Sequence, residues 1–109
     1  MYQEVRTEMK KYALRVDDPI FGASDLTLYF ERENLHVGDE IVLKRSQVKS
    51  WKKDTKAINK LFLTKGKSEK IRDRDVGNYE IKLKVGENIG YRAMESVLDP
   101  YQAFSVYVI

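Results

Sequence analysis

The chain has 109 residues, with 20 basic and 17 acidic side chains, one histidine and no cysteine, for a net charge of +3. That length suits one domain with one core. The absent cysteines exclude disulfides and thiolate metal sites, and a lone His36 excludes metal binding of the His-Glu-x-x-His kind.

No apolar run is long enough to span a bilayer, and the N-terminus has no signal-peptide core. A cytoplasmic protein, or one assembled inside the cell into a particle, is expected. The charge is unevenly spread. Residues 1–43 carry five basic and nine acidic groups, residues 44–74 carry twelve and three, and residues 75–109 carry three and five. A basic middle between acidic flanks predicts a surface of two signs, which steers and orients partners.

Along the chain, Tyr2, Val5, Met9, Tyr12 and Val16 are spaced three, four, three and four apart. This predicts an amphipathic helix over residues 1–18, stopped by Pro19, with Glu4 and Glu8 early and Lys10, Lys11 and Arg15 late. Such a helix either packs on the β domain of residues 19–109 or docks as an arm on another subunit; a strand or a disordered tail is the remaining reading. Residues 19–25 read as a turn. Leu26, Leu28 and Phe30 then alternate with Thr27 and Tyr29 as a strand. Residues 36–40 read as a turn and Ile41 to Lys44 as the next strand.

Residues 44–56 gather Lys44, Arg45, Lys49, Lys52, Lys53 and Lys56 around Trp51, the only tryptophan. Trp51 either fills a core position on a strand or stands exposed among the lysines. Exposed, it joins cations for phosphates to an aromatic for base stacking, the combination of a nucleic-acid groove. Lysine outnumbers arginine there, which suits phosphate contact rather than base readout. Residues 57–63 fit a helix with Ile58, Leu61 and Phe62 on one face, or equally a strand. Residues 65–68 read as a turn, and Ile71 anchors a short strand.

The most informative stretch is residues 75–85. Tyr79, Ile81, Leu83 and Val85 alternate with Glu80, Lys82 and Lys84, the pattern of a strand with one buried and one wet face. Before it stands Asp75-x-Gly77-x-Tyr79, where Gly77 is expected to supply a positive backbone angle. This motif resembles the corner before strand F of immunoglobulin-like sandwiches, where a Tyr hydroxyl bonds back to nearby main chain. The resemblance implies a mainly β domain, an immunoglobulin-like β-sandwich preceded by the N-terminal helix. A small β-barrel is the alternative.

Residues 86–90 read as a turn, and Tyr91 to Leu98 as an amphipathic helix, a loop or an edge strand. Phe104 to Ile109 alternate as a last strand. The expected core is Leu26, Leu28, Phe30, Ile41, Leu43, Tyr79, Ile81, Leu83, Val85, Phe104, Val106 and Val108.

No catalytic residues, cofactor, metal or small-molecule substrate are expected, because His36 falls in a turn and no nucleophile motif is present. The acidic pairs Asp17-Asp18 and Asp39-Glu40 lack the ligand spacing of a calcium loop. Tyr29 and Tyr107 are expected to face outward as interface residues, together with Tyr2, Val5, Met9 and Tyr12 of the arm. The last strand is also similar to that of the chagasin-type protease inhibitors, but Arg45 to Lys49 stands where their inhibitory Asn-Pro-Thr-Thr-Gly loop belongs. The function expected is therefore a non-catalytic protein-interaction or assembly module, with nucleic-acid binding through residues 44–56 as the alternative. Small β proteins with terminal arms of this kind are frequent in phage and virus particles.

Overall fold

The computed structural model describes residues 8–17, 26–49, 52–69, 72, 74–92 and 100–109. Five strands form one curled, mixed sheet, a half-barrel, with one short helix at its concave side. In chain order they are β1 (Lys10–Val16), β2 (Thr27–Arg32), β3 (Glu40–Lys44), β4 (Glu80–Arg92) and β5 (Tyr101–Val108), with helix α1 (Thr55–Lys65) between β3 and β4. The order across the sheet is β2-β1-β5-β4-β3. β1 runs parallel to β5, and every other pairing is antiparallel. A second sheet facing this one is not present among the described residues.

The core follows from period-two alternation. Leu28 and Phe30 of β2, Ile41 and Leu43 of β3, Ile81, Leu83 and Val85 of β4, and Phe104 and Val106 of β5 are buried in one cluster. Leu26, just before β2, joins them, and Tyr79 and Val108 are half-buried against its rim. Each of these expected core residues thus takes part in it, while Trp51, read as either core or exposed, lies outside the described residues. α1 adds Ile58, Leu61 and Phe62, all fully buried and spaced as one helical face. Of the two readings open for residues 57–63, the helix is the one formed.

The expected N-terminal helix is overturned where the structure describes it, because Lys10–Val16 is a strand. The helical stripe counted Met9, which is 55% exposed, and left out Leu14, which is fully buried. Tyr12, Leu14 and Val16 alternate on the concave side instead, while Ala13 faces the convex side. β1 pairs on both edges, and that tertiary pairing outweighs local helical spacing. Residues 1–7, 18–25, 50–51 and 93–99 lie outside the described residues, and with them Tyr2, Val5 and Trp51, the turn over 19–25 and most of the 91–98 segment. The position of Ile71 lies outside them too. Tyr91 and Arg92 are described and end β4.

Two turn expectations also change. Gly77 sits in a 3-10 turn, Val76–Asn78, without a positive angle. The turn is held by Gly77 N–H donating to Asp75 Oδ1 at 2.9 Å. The left-handed glycines among the described residues are Gly38 and Gly90. Residues 86–90 are not a chain reversal, because β4 runs straight through them on β5 with register shifts on both sides of Asn88. Glu87 N–H donates to Ser105 Oγ, and Gly90 N–H donates to Asn88 Oδ1. The Gly and Asn that signal a turn here build a bulge.

Candidate interaction surface

The basic segment does not fold as one loop. After β3, Arg45–Gln47 is a 3-10 turn, in which Lys44 N–H donates to Gln47 Oε1 at 2.9 Å. The chain then reaches β2, where Lys49 N–H donates to Tyr29 O at 2.7 Å. Lys52–Asp54 is a second 3-10 turn leading into α1.

Arg45 is committed to the fold. Its Nε donates to Asn59 Oδ1 at 2.7 Å and one terminal nitrogen donates to Val48 O at 3.0 Å, clamping the end of β3 to α1. Burial lowers its pKa below the ordinary arginine value. Lys44 pairs with Glu80 at 3.9 Å, and Lys49 with Glu31 at 3.6 Å, both at the surface. Lys52, Lys53 and Lys56 are exposed, as is Lys60 further along α1, and none has an ion-pair partner among the described residues.

The aromatic expectations divide. Tyr107 is exposed as an outward residue of β5. Tyr12 is not an interface residue in this fold; it is 2% exposed, between the rings of Phe30 and Phe104. Its place on the concave side of a central strand explains this. Burial raises the phenol's pKa, against a hydrogen bond to the Leu35 main chain and the nearby Arg32 charge, which lower it. Tyr29 does face the convex side, yet it is buried there against Ala13, Ala103 and the edge of the Tyr101 ring. The small alanines of β1 and β5 leave room for the two tyrosine rings, which meet edge to face at 79°.

His36 is exposed and holds its turn, its N–H donating to Asp39 Oδ2 at 2.8 Å. No group of three His, Asp or Glu residues that could hold a metal occurs among the described residues. No described helix is long and apolar enough to cross a membrane.

Two features escaped the sequence reading, Val42 and Ile109. Val42 is 54% exposed on the convex side of edge strand β3. It lines two hollows at once, one with Met9 and one with Ile109, and all three side chains are exposed. Both positions carried a signal. Val42 lies out of phase with Ile41 and Leu43, and Ile109 out of phase with Val106 and Val108, so each is an apolar residue where alternation calls for a polar one.

No protein-family model, no curated protein and no solved structure matches this chain.

Proposed function

We propose that this chain is a non-catalytic protein-interaction or assembly module, a small component of a phage or virus particle or of another multi-subunit complex. The observation that carries the reading is the exposed Val42 on the free edge strand β3, which lines one hollow with the exposed Met9 and another with the exposed Ile109. Scattered exposed apolar residues are ordinary, whereas one on an unpaired edge strand, with two more across the hollows it borders, favours association. The test is light scattering and sedimentation over a wide concentration range, for the wild type and Val42→Asp. Association that Val42→Asp removes without shifting the melting curve supports the reading. A wild type that stays monomeric throughout, and keeps the same cross-linked partners as Val42→Asp, overturns it.

A second reading, nucleic-acid binding, is favoured by the exposed lysines 52, 53, 56 and 60 on the turn before α1 and on α1, unpaired among the described residues. For the fold, we infer an immunoglobulin-like derivation. Strands A and B of that sandwich share one sheet and C, F and G the other. The order β2-β1-β5-β4-β3 matches B-A joined to G-F-C, with the Tyr79 corner leading into the strand in place of F.

A further inference from the structure

The two ends of the curled sheet, β2 and β3, border the same hollow of about 370 Å³, lined by Phe30, Glu31, Glu33, Val42 and Leu43 among others. The main-chain groups on these edges can be assigned. Val16 N–H donates to Leu26 O, and Lys49 N–H donates to Tyr29 O on the opposite side. Even-numbered residues of β2 therefore pair with β1, and Tyr29 and Glu31 turn their main-chain groups away from the sheet. On β3, Arg45 N–H donates to Tyr79 O and Asp39 O accepts from Val85 N–H. Odd-numbered residues there pair with β4, and Glu40, Val42 and Lys44 face the hollow's side. Lys44 N–H is taken by Gln47, but the main chains of Glu31 and Val42 have no partner beyond the sheet among the described residues. Lys49 already occupies one residue's length of the lane beside β2, opposite Tyr29.

We propose that this gap is a strand-acceptor site, in which an extended segment of a protein partner pairs its main chain with the free edges at Glu31 and Val42. This rests on the interaction reading above and specifies how the edge of β3 engages its partner. Main-chain donors and acceptors on two edges of one cleft call for an extended polypeptide, which presents both along its length. Side chains of an inserted strand alternate between the concave side, against Phe30 and Leu43, and the convex side, beside Glu31, which Lys49 already pairs, with Glu33 also lining the hollow. The segment that fits therefore alternates apolar and cationic residues.

The chain itself contains such a sequence. Within residues 80–86, Glu-Ile-Lys-Leu-Lys-Val-Gly, positions 80–84 already pair with β3 along its other edge. A synthetic peptide of that sequence, end-blocked, is the probe. It is titrated into the full chain, with amide exchange followed by NMR. The expected result is binding that protects the Glu31 and Val42 amides from exchange. N-methylation of the peptide at alternate residues should weaken it about tenfold, the worth of a lost main-chain hydrogen bond. Val42→Pro should weaken it comparably, since that N–H bonds to nothing within the sheet and proline is tolerated on such an edge. Val42→Thr keeps the N–H and should bind as the wild type does. If Val42→Pro does not fold, the N-methylated peptide decides alone. Equal affinity of the methylated peptide, binding without protection at these two amides, or no binding at all overturns strand addition. Loss of binding in Val42→Thr with no effect of N-methylation would leave an apolar interaction surface standing and remove only the main-chain mode.

Discussion

At the residue scale, Tyr12 shows how a position read as interface becomes structural. The phenol lies in the core, so the charged form is disfavoured in the folded chain and its pKa is raised. An unfolded tyrosine ionises near pH 10, at roughly its ordinary value. Below that pH both states keep the proton and the stability tied to it is fully present. As pH rises towards the folded-state value, the unfolded chain gives up a proton that the folded chain retains, and that stability is lost. Tyr12→Phe should therefore unfold with a shallower alkaline decline than the wild type, seen in urea melts taken between pH 8 and about pH 11. At neutral pH it should be less stable by about 1 kcal/mol, through the lost hydrogen bond to the Leu35 main chain. Parallel alkaline profiles for the two proteins would show that the hydroxyl is solvated.

At the element scale, the junction of α1 with β4 rests on a close approach. Gly66 ends the helix, its N–H donating to Phe62 O, and Lys67 exchanges two main-chain bonds with Glu80. A Cβ on Gly66 would overlap the Phe62 carbonyl and lie 2.9 Å from Glu80 O, both of them backbone atoms that cannot rotate away. Gly66→Ala should cost about 3 kcal/mol by urea unfolding. Gly77→Ala meets only the Asp75 carboxylate, at 3.1 Å, which can give way, so its cost should stay below about 1 kcal/mol. Equal losses would mean that the helix-to-strand junction is packed otherwise. The contrast also shows what the sequence made legible. Strand β3 and the first half of β4 stood out because one face is buried and the other mostly wet. β2 and β5, buried on both faces for most of their length, were legible because Thr27, Tyr29, Ser105 and Tyr107 still alternate with purely apolar residues. β1 was hidden because Ala13 and Tyr12 are both buried, on opposite sides, which erases alternation and leaves a spurious helical spacing. Gly77 drew the emphasis owed to Gly66, because a sequence displays turn chemistry but not which backbone lies against which. The candidate site was legible in the same partial way. Lysines are visible as composition, but the clamp that ties Arg45 to Asn59, fourteen residues on, is a tertiary fact.

At the scale of the whole molecule, the two functional readings occupy different regions, which makes them separable. The acceptor gap lies between β2 and β3, beside Glu31 and Glu33. The unpaired lysines lie on the 3-10 turn before α1 and on the exposed side of α1 itself. Arg45, Lys44 and Lys49 belong to neither in full, since hydrogen bonds and ion pairs hold them to the fold. What remains for a polyanion is a point-charge surface of four lysines, attractive to any phosphate backbone and selective for none. Each lysine that meets a phosphate of duplex DNA displaces condensed counterions and steepens the dependence of log K on log salt by about 0.9. If all four engage, the slope approaches about −3.6, with weak affinity that vanishes at moderate salt. Replacing Lys52, Lys53, Lys56 and Lys60 by Gln should flatten that slope to near zero and leave the melting temperature unchanged, because none of the four is paired among the described residues. It should also leave binding of the 80–86 peptide intact. A slope that survives the four substitutions would move the anionic contact to Lys44 and Lys49, whose ion pairs would then have to open in the complex. A peptide affinity that falls with them would mean that one surface serves both partners.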